Sequence, residues 1–106
     1  MTPSGPKRVY PRWRFSFPVQ AQGEHVGNAL DISEGGIGFL SDSEYKPGTR
    51  LKVKFRLPEN GPAEFELPAE VRWCQNYRVG TQFVDLDEDV RMRLFVAIYE
   101  EAARTR

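Results

Sequence analysis

The chain has 106 residues, 40% of them hydrophobic, with fifteen basic and fifteen acidic side chains; this predicts one domain with a modest core, and the cancelled charge excludes a bulk attraction to nucleic acid or an anionic membrane. No apolar run approaches the length needed to span a bilayer, and the N-terminus lacks a signal-peptide pattern, so no membrane insertion is expected. A single cysteine, Cys74, rules out an internal disulfide and suits a reducing cytoplasm.

Residues 1–6 read as a flexible lead and residues 7–106 as the domain. Lys7, Arg8, Arg12 and Arg14 all precede the first acidic residue, Glu24, so the start of the chain is locally basic. Residues 13–20 alternate without a break: Trp13, Phe15, Phe17 and Val19 fall on one face, and Arg14, Ser16, Pro18 and Gln20 on the other. Period two predicts a half-buried strand, with Pro18 marking an edge or bulge. Residues 26–32 and 37–40 read as strands on either side of a turn. Tyr45-Lys46-Pro47-Gly48 has the chemistry of a type II turn. Residues 50–57 alternate again, with Leu51, Val53, Phe55 and Leu57 inward. Pro58-Glu59-Asn60-Gly61-Pro62 turns the chain, residues 64–74 return with an interruption at Pro68, and residues 78–84 supply a last strand.

The ending changes period. Asp85-Leu86-Asp87-Glu88 reads as a helix start, an acidic cap with Glu three residues on. Val90, Leu94, Phe95, Ile98, Tyr99 and Ala102 then recur at helical spacing, which predicts a helix over about 87–104. Arg104 and Arg106 suit the negative end of its dipole. Short strands with closely spaced turns indicate an antiparallel barrel or sandwich rather than a βαβ fold.

Two short motifs stand out on this scaffold. Arg8-Val9-Tyr10-Pro11-Arg12 is an R-x-x-x-R just before the first strand-like segment, and Asp31-Ile32-Ser33-Glu34-Gly35-Gly36 is a D-x-S-x-x-G. Each alone has a bland reading: the arginines as a solvated lead-in, and Asp31 and Ser33 as a turn device bonding nearby backbone amides. Together, in this order and with the late G-x-x-F of Gly80-Thr81-Gln82-Phe83, they resemble the PilZ domain family of bacterial receptors for cyclic di-GMP. The resemblance covers roughly residues 7–100. It implies a small Greek-key-like β-barrel of about six strands followed by one packed helix. The interval from Arg12 to Asp31 is short for the family, which suggests a tight connection at Gln22-Gly23-Glu24.

The resemblance implies that Arg8, Arg12, Asp31, Ser33 and Gly36 bind cyclic di-GMP, and the chemistry suits that role. A guanidinium can donate two parallel hydrogen bonds to guanine O6 and N7, or two to a phosphate. The carboxylate of Asp31 can accept from a guanine's N1–H and exocyclic amine. Gly36 offers no side chain to block an approaching base or phosphate. Gly35 is a turn residue able to lend its N–H. Trp73 has two readings: an indole that stacks on a guanine, or a core residue sharing a face with Val71. Trp13 is read as core, and Arg14 and Arg78 as solvated surface.

Catalysis finds no foothold. His25, the only histidine, sits in a polar turn, and no motif supports a dyad with Cys74. No His, Cys and carboxylate cluster has metal-ligand spacing, and no Gly-rich loop opens a helix, so no cofactor is expected. The sequence is read as a cytoplasmic, non-enzymatic receptor that passes the signal to a protein effector by ordering its N-terminal arm, with motility, exopolysaccharide or biofilm control as the implied output. Two alternatives stand beside it. One is a PilZ-like adaptor working by protein contacts without nucleotide. The other is a small β-barrel for single-stranded nucleic acid, disfavoured because Trp13, Phe15 and Phe17 alternate as a core face and net charge is zero.

Overall fold

A computed structural model describes residues 11–57 and 64–104, with the backbone alone at 24–26. The 1–6 lead, Arg8, the 58–62 turn, the side chain of His25 and Arg106 lie outside the described residues. Six strands form a closed antiparallel barrel: β1 (Pro18–Ala21), β2 (Glu24–Ile32), β3 (Ile37–Leu40), β4 (Arg50–Phe55), β5 (Phe65–Gln75) and β6 (Arg78–Phe83). Around the barrel they run β1-β2-β3-β6-β5-β4, so the β3–β4 connection links strands that are not neighbours and β4 closes on β1. One helix, α1 (Glu88–Arg104), follows. No helix among the described residues is long and apolar enough to cross a membrane.

Alternation builds the wall. In β4, Leu51, Val53 and Phe55 are buried while Arg50 and Lys52 are exposed, as period two requires. Phe55 sits among aromatic neighbours, with ring centroids 5.6 Å from Phe17, 5.5 Å from Phe65 and 6.4 Å from Phe83. Gln22 and Gly23 both take positive φ, 56° and 84°, in the two-residue turn that joins Ala21 to Glu24, the tight connection expected there. The amide of Thr49 donates to Lys46 O at 3.1 Å with Gly48 at φ 93°, the type II turn that Pro47-Gly48 dictates.

Three local expectations need correction. The strand expected over 13–20 pairs as a strand only from Pro18, although its burial alternates throughout. Trp13 bridges Ile32 and Phe17 O accepts from Ala29 N, so four steps on one chain face three on the other and a continuous ladder cannot form. Pro68 does not interrupt β5: it pairs with Lys52, and its carbonyl accepts from Val84 N at 3.0 Å. N–H and C=O of one strand residue point to the same side. Its missing donor therefore faces Val84, just past β6, so only one bond at the very end of that ladder is lost. The helix cap is Asp87 rather than Asp85. Asp87 Oδ1 accepts from Val90 N at 2.9 Å, while Asp85 stands at φ 57° and pairs with Arg50 at 3.5 Å.

The helix packs Leu94, Ala97, Ile98 and Ala102 into the barrel's apolar cluster. Its buried face is rotated slightly from the stripe expected, because Phe95 and Tyr99 remain partly exposed. Trp13 lies at the margin of the core rather than within it. Its ring meets Tyr99 edge-on at 5.7 Å and stacks along Phe15 at 6.4 Å. Arg93 stands over the Phe65 ring at 5.4 Å, a cation–π contact that ties α1 to β5.

Candidate functional site

The Trp13 bridge sets the geometry at the start of the chain. Trp13 N donates to Ile32 O at 2.8 Å and Ile32 N donates to Trp13 O at 2.9 Å. In an antiparallel pair joined this way the two preceding neighbours lie diagonally across the other face, within reach of a long side chain. Ile32 points into the core, so Arg12 and Asp31 meet outside. Arg12 Nη1 donates to Asp31 Oδ1 at 2.7 Å, with the two side chains 31% and 32% exposed. A pair this open contributes only about 0–1 kcal/mol to stability. The contact uses one guanidinium nitrogen and one carboxylate oxygen, and most donors of Arg12 and the Oδ2 of Asp31 stay free of it.

Asp31 reaches the outer face because of a bulge. The β2–β3 register runs Ala29↔Phe39 and then Asp31↔Gly38, so Leu30 is an extra residue. Under unbroken alternation, with no bulge, Asp31 would share the inward face of Ala29. The same device recurs on β5, three strands round the barrel. The β5–β6 register jumps from Val71↔Thr81 to Trp73↔Gly80, which makes Arg72 the extra residue and turns Trp73 outward. Trp73 is 50% exposed while Val71 is fully buried, so the two do not share a face and Trp73 is not a core residue.

Gly38 pairs with Gly80 across β3 and β6. Asp31, Gly38, Gly80 and Trp73 therefore form one row across four neighbouring strands on the outside of the barrel. Three strand spacings separate its ends, about 14 Å along the wall. Both glycines are covered by the ends of the row. A Cβ on Gly38 would stand 2.8 Å from Asp31 Oδ1, and one on Gly80 would run into the indole of Trp73, 2.7 Å from Cζ2 and closer to Nε1 and Cε2. The sequence reading gave Gly38 and Gly80 no role; the D-x-S-x-x-G-I-G and G-x-x-F contexts contain them but carry no sign of the bulges.

The rest of the D-x-S-x-x-G turn is knit into the barrel. Ser33 is buried; its Oγ accepts from Gly35 N at 3.0 Å and its N donates to Gly36 O at 2.9 Å. Gly35 O accepts from Phe83 N at 2.8 Å. The space a side chain at Gly36 would take is filled by the Thr81 carbonyl, so this glycine first serves the close approach of β3 to β6. The turn device foreseen for Asp31 and Ser33 thus holds for Ser33, whereas Asp31 bonds Arg12. Glu34 lines a separate cavity of about 210 Å³ with Glu88, Arg91, Met92 and Phe95. Burial there pushes its carboxyl above the usual range, opposed by the Arg91 guanidinium. Among the described residues, no group of three or more His, Cys, Asp or Glu could hold a metal ion.

A family model described as the PilZ domain matches residues 6–100. No curated protein matches the chain. Among solved structures the chain is similar to the Bacillus subtilis inhibitor of motility MotI/DgrA, with a TM-score of 0.75 and 23% identity over 95% of this chain and 53% of that one. It is similar to Escherichia coli YcgR in complex with c-di-GMP, with a TM-score of 0.70 and 19% identity over 93% of this chain and 49% of that one. It is also similar to the PilZ domain of CeSA from a cellulose-synthesizing bacterium, with a TM-score of 0.67 and 21% identity over 84% of this chain and 98% of that one. These likenesses are of fold. The chain spans about half the length of MotI/DgrA and of YcgR.

Proposed function

The chain belongs to the PilZ domain family, and on that premise we propose that it is a receptor for cyclic di-GMP that passes the signal to a partner protein. The observation that carries this reading is the meeting of Arg12 and Asp31 at 2.7 Å on the outer wall, at the head of the row that ends in Trp73. A guanidinium fork and a carboxylate side by side match the acceptors and donors on a guanine's edges, and the fork also matches a phosphate. The half-exposed indole offers a flat apolar face to a base. Arg8, four residues before Arg12 in the sequence, would add a second guanidinium. Ser33, Gly35 and Gly36 would keep the turn in shape, and Asp31 would hold one guanine. Similarity to YcgR in complex with c-di-GMP supports the choice of ligand.

The mechanical part of the reading is ordering of the N-terminal arm. Both arginines precede or adjoin the Trp13–Ile32 bridge, so a ligand bound by them draws the segment before Trp13 onto the barrel near Asp31, creating or hiding a surface. Output in motility, exopolysaccharide or biofilm control, in the cytoplasm, is consistent with the likeness to an inhibitor of motility and to a domain from a cellulose-synthesizing bacterium. The role is that of a binding domain rather than an enzyme.

Calorimetric titration with cyclic di-GMP, GTP and a short single-stranded oligonucleotide tests the assignment. Saturable binding of cyclic di-GMP alone is the expected result; no binding of it would leave an adaptor working by protein contacts, and binding of the oligonucleotide would favour a nucleic-acid barrel. Trypsin digestion followed by mass spectrometry tests the arm. Ligand should slow cleavage after Lys7, Arg8 and Arg12 far more than within the barrel. Equal rates with and without cyclic di-GMP would remove the ordering mechanism.

A further inference from the structure

We propose that Gly38 and Gly80 are positioning residues of the ligand surface, seats that hold the Asp31 carboxylate and the Trp73 indole flat against the barrel wall. This rests on the receptor reading above, but its geometry can be tested without ligand. Glycine in a strand interior is unfavourable, since it gives up side-chain packing and adds chain entropy to the unfolded state. Two glycines paired across β3 and β6 therefore need a reason. Backbone conformation is not the reason, because neither is among the glycines of positive φ. The reason is space above the sheet.

What fills that space differs from one glycine to the next. At Gly36 the obstacle to a side chain is backbone, the carbonyl of Thr81, which cannot move without parting two strands. At Gly38 it is Asp31 Oδ1, and at Gly80 it is the ring of Trp73. These are the two side chains that the bulges at Leu30 and Arg72 turn outward. The oxygen over Gly38 is also the one that accepts from Arg12 Nη1. A methyl group at position 38 would push Asp31 off its seat and disturb the Arg12 pair, and one at position 80 would lift the indole away from the wall. Each bulge aims a side chain, and each glycine sets how low that side chain lies. Together they define the height and width of the gap that a planar base can enter.

The test compares Gly36→Ala, Gly38→Ala and Gly80→Ala by thermal unfolding, by fluorine NMR of protein carrying fluorotryptophan, and by titration with cyclic di-GMP. Trp73→Phe assigns the Trp73 resonance, and Trp13 serves as internal control. Gly36→Ala should lower stability most. Gly80→Ala should shift the Trp73 resonance toward that of free indole, leave Trp13 unmoved, and weaken cyclic di-GMP by about tenfold. Adding Trp73→Ala to Gly80→Ala should then cost little more, because the seat acts only through the ring. Gly38→Ala should weaken the ligand with the Trp73 resonance unmoved. If Gly80→Ala fails to fold, the Trp73→Ala/Gly80→Ala double variant should fold again, since removing the ring restores the space. An unmoved Trp73 resonance in Gly80→Ala, fully additive losses in the double variant, or failure of both proteins to fold would overturn the seat. Absence of cyclic di-GMP binding by the wild type would instead overturn the receptor reading, while the resonance and refolding results would still decide the seat.

Discussion

The two ends of the outer row are held by different forces. At one end Arg12 and Asp31 are joined by a single contact of 2.7 Å, both side chains about a third exposed. Water competes for both groups, so the pair is weak and readily exchanged for another partner. At the other end the Trp73 ring lies in van der Waals contact over Gly80. Contact of this kind depends on shape and changes little with salt. The difference suggests a division of labour on the wall. Groups that swap partners would read the ligand's charge and hydrogen-bonding edges, and a surface already in place would meet its flat faces.

Breaking the polar end should have the largest effect. Arg12→Ala removes charge-assisted bonds worth about 2–3 kcal/mol in total, a roughly 30- to 150-fold loss of cyclic di-GMP affinity. Its unfolding temperature should match wild type, because the pair it loses is exposed. Calorimetric binding within about threefold of wild type would remove Arg12 from the site. Trp73→Ala tests the apolar end, with an expected loss of about 1–3 kcal/mol by the scale of base–aromatic stacking. An unchanged dissociation constant would mean that no base lies on the indole.

Asp31→Asn sharpens the contrast within the polar end. It keeps shape but replaces one acceptor with a donor that would face a guanine's own donors, and about a tenfold weakening, roughly 1.4 kcal/mol, is expected. Equal affinities would leave Asp31 as a partner of Arg12 alone. The smallest effect is the most direct measure of the two forces. Raising ionic strength from about 0.1 to 1 M shortens the screening length from about 10 to 3 Å. Wild type and Trp73→Ala should lose affinity in parallel, and Arg12→Ala should respond less. Parallel lines for all three would show that Arg12 contributes no charge interaction to binding.

Much of this was legible in the sequence, and the omissions have a common cause. The β4 ladder was readable because its alternation and the type II turn before it agree. The segment 13–17 alternates just as clearly, yet alternation records which side faces the core and says nothing of hydrogen bonding. Pairing there is limited by a one-residue mismatch against β2, which only the partner strand reveals. The bulges at Leu30 and Arg72 have no residue signature. Strict period two therefore gave Trp73 the same face as Val71, when one extra residue had turned it out. Of the residues proposed to meet the ligand, Arg8, Arg12 and Asp31 were visible through their motifs, as were Ser33, Gly35 and Gly36 of the turn behind them. That Asp31 faces Arg12 depended on the bulge at Leu30, and that Ser33 turns inward to Gly35 depended on where β2 ends.

The pairing of Gly38 with Gly80 also governs when the site can exist during folding. It joins β3 to β6, strands from opposite halves of the chain, and such distant pairings must overcome loop-closure entropy before their contacts compensate. The row crosses that seam: Asp31 and Gly38 come from the first half, Gly80 and Trp73 from the second. A nascent or nicked chain with only β1 to β3 would carry both recognition motifs and still present half a surface. Ligand that binds only the closed barrel draws late-folding molecules to completion by mass action. The proposed ligand would then act on the yield of closed barrels as well as on the surface that they present.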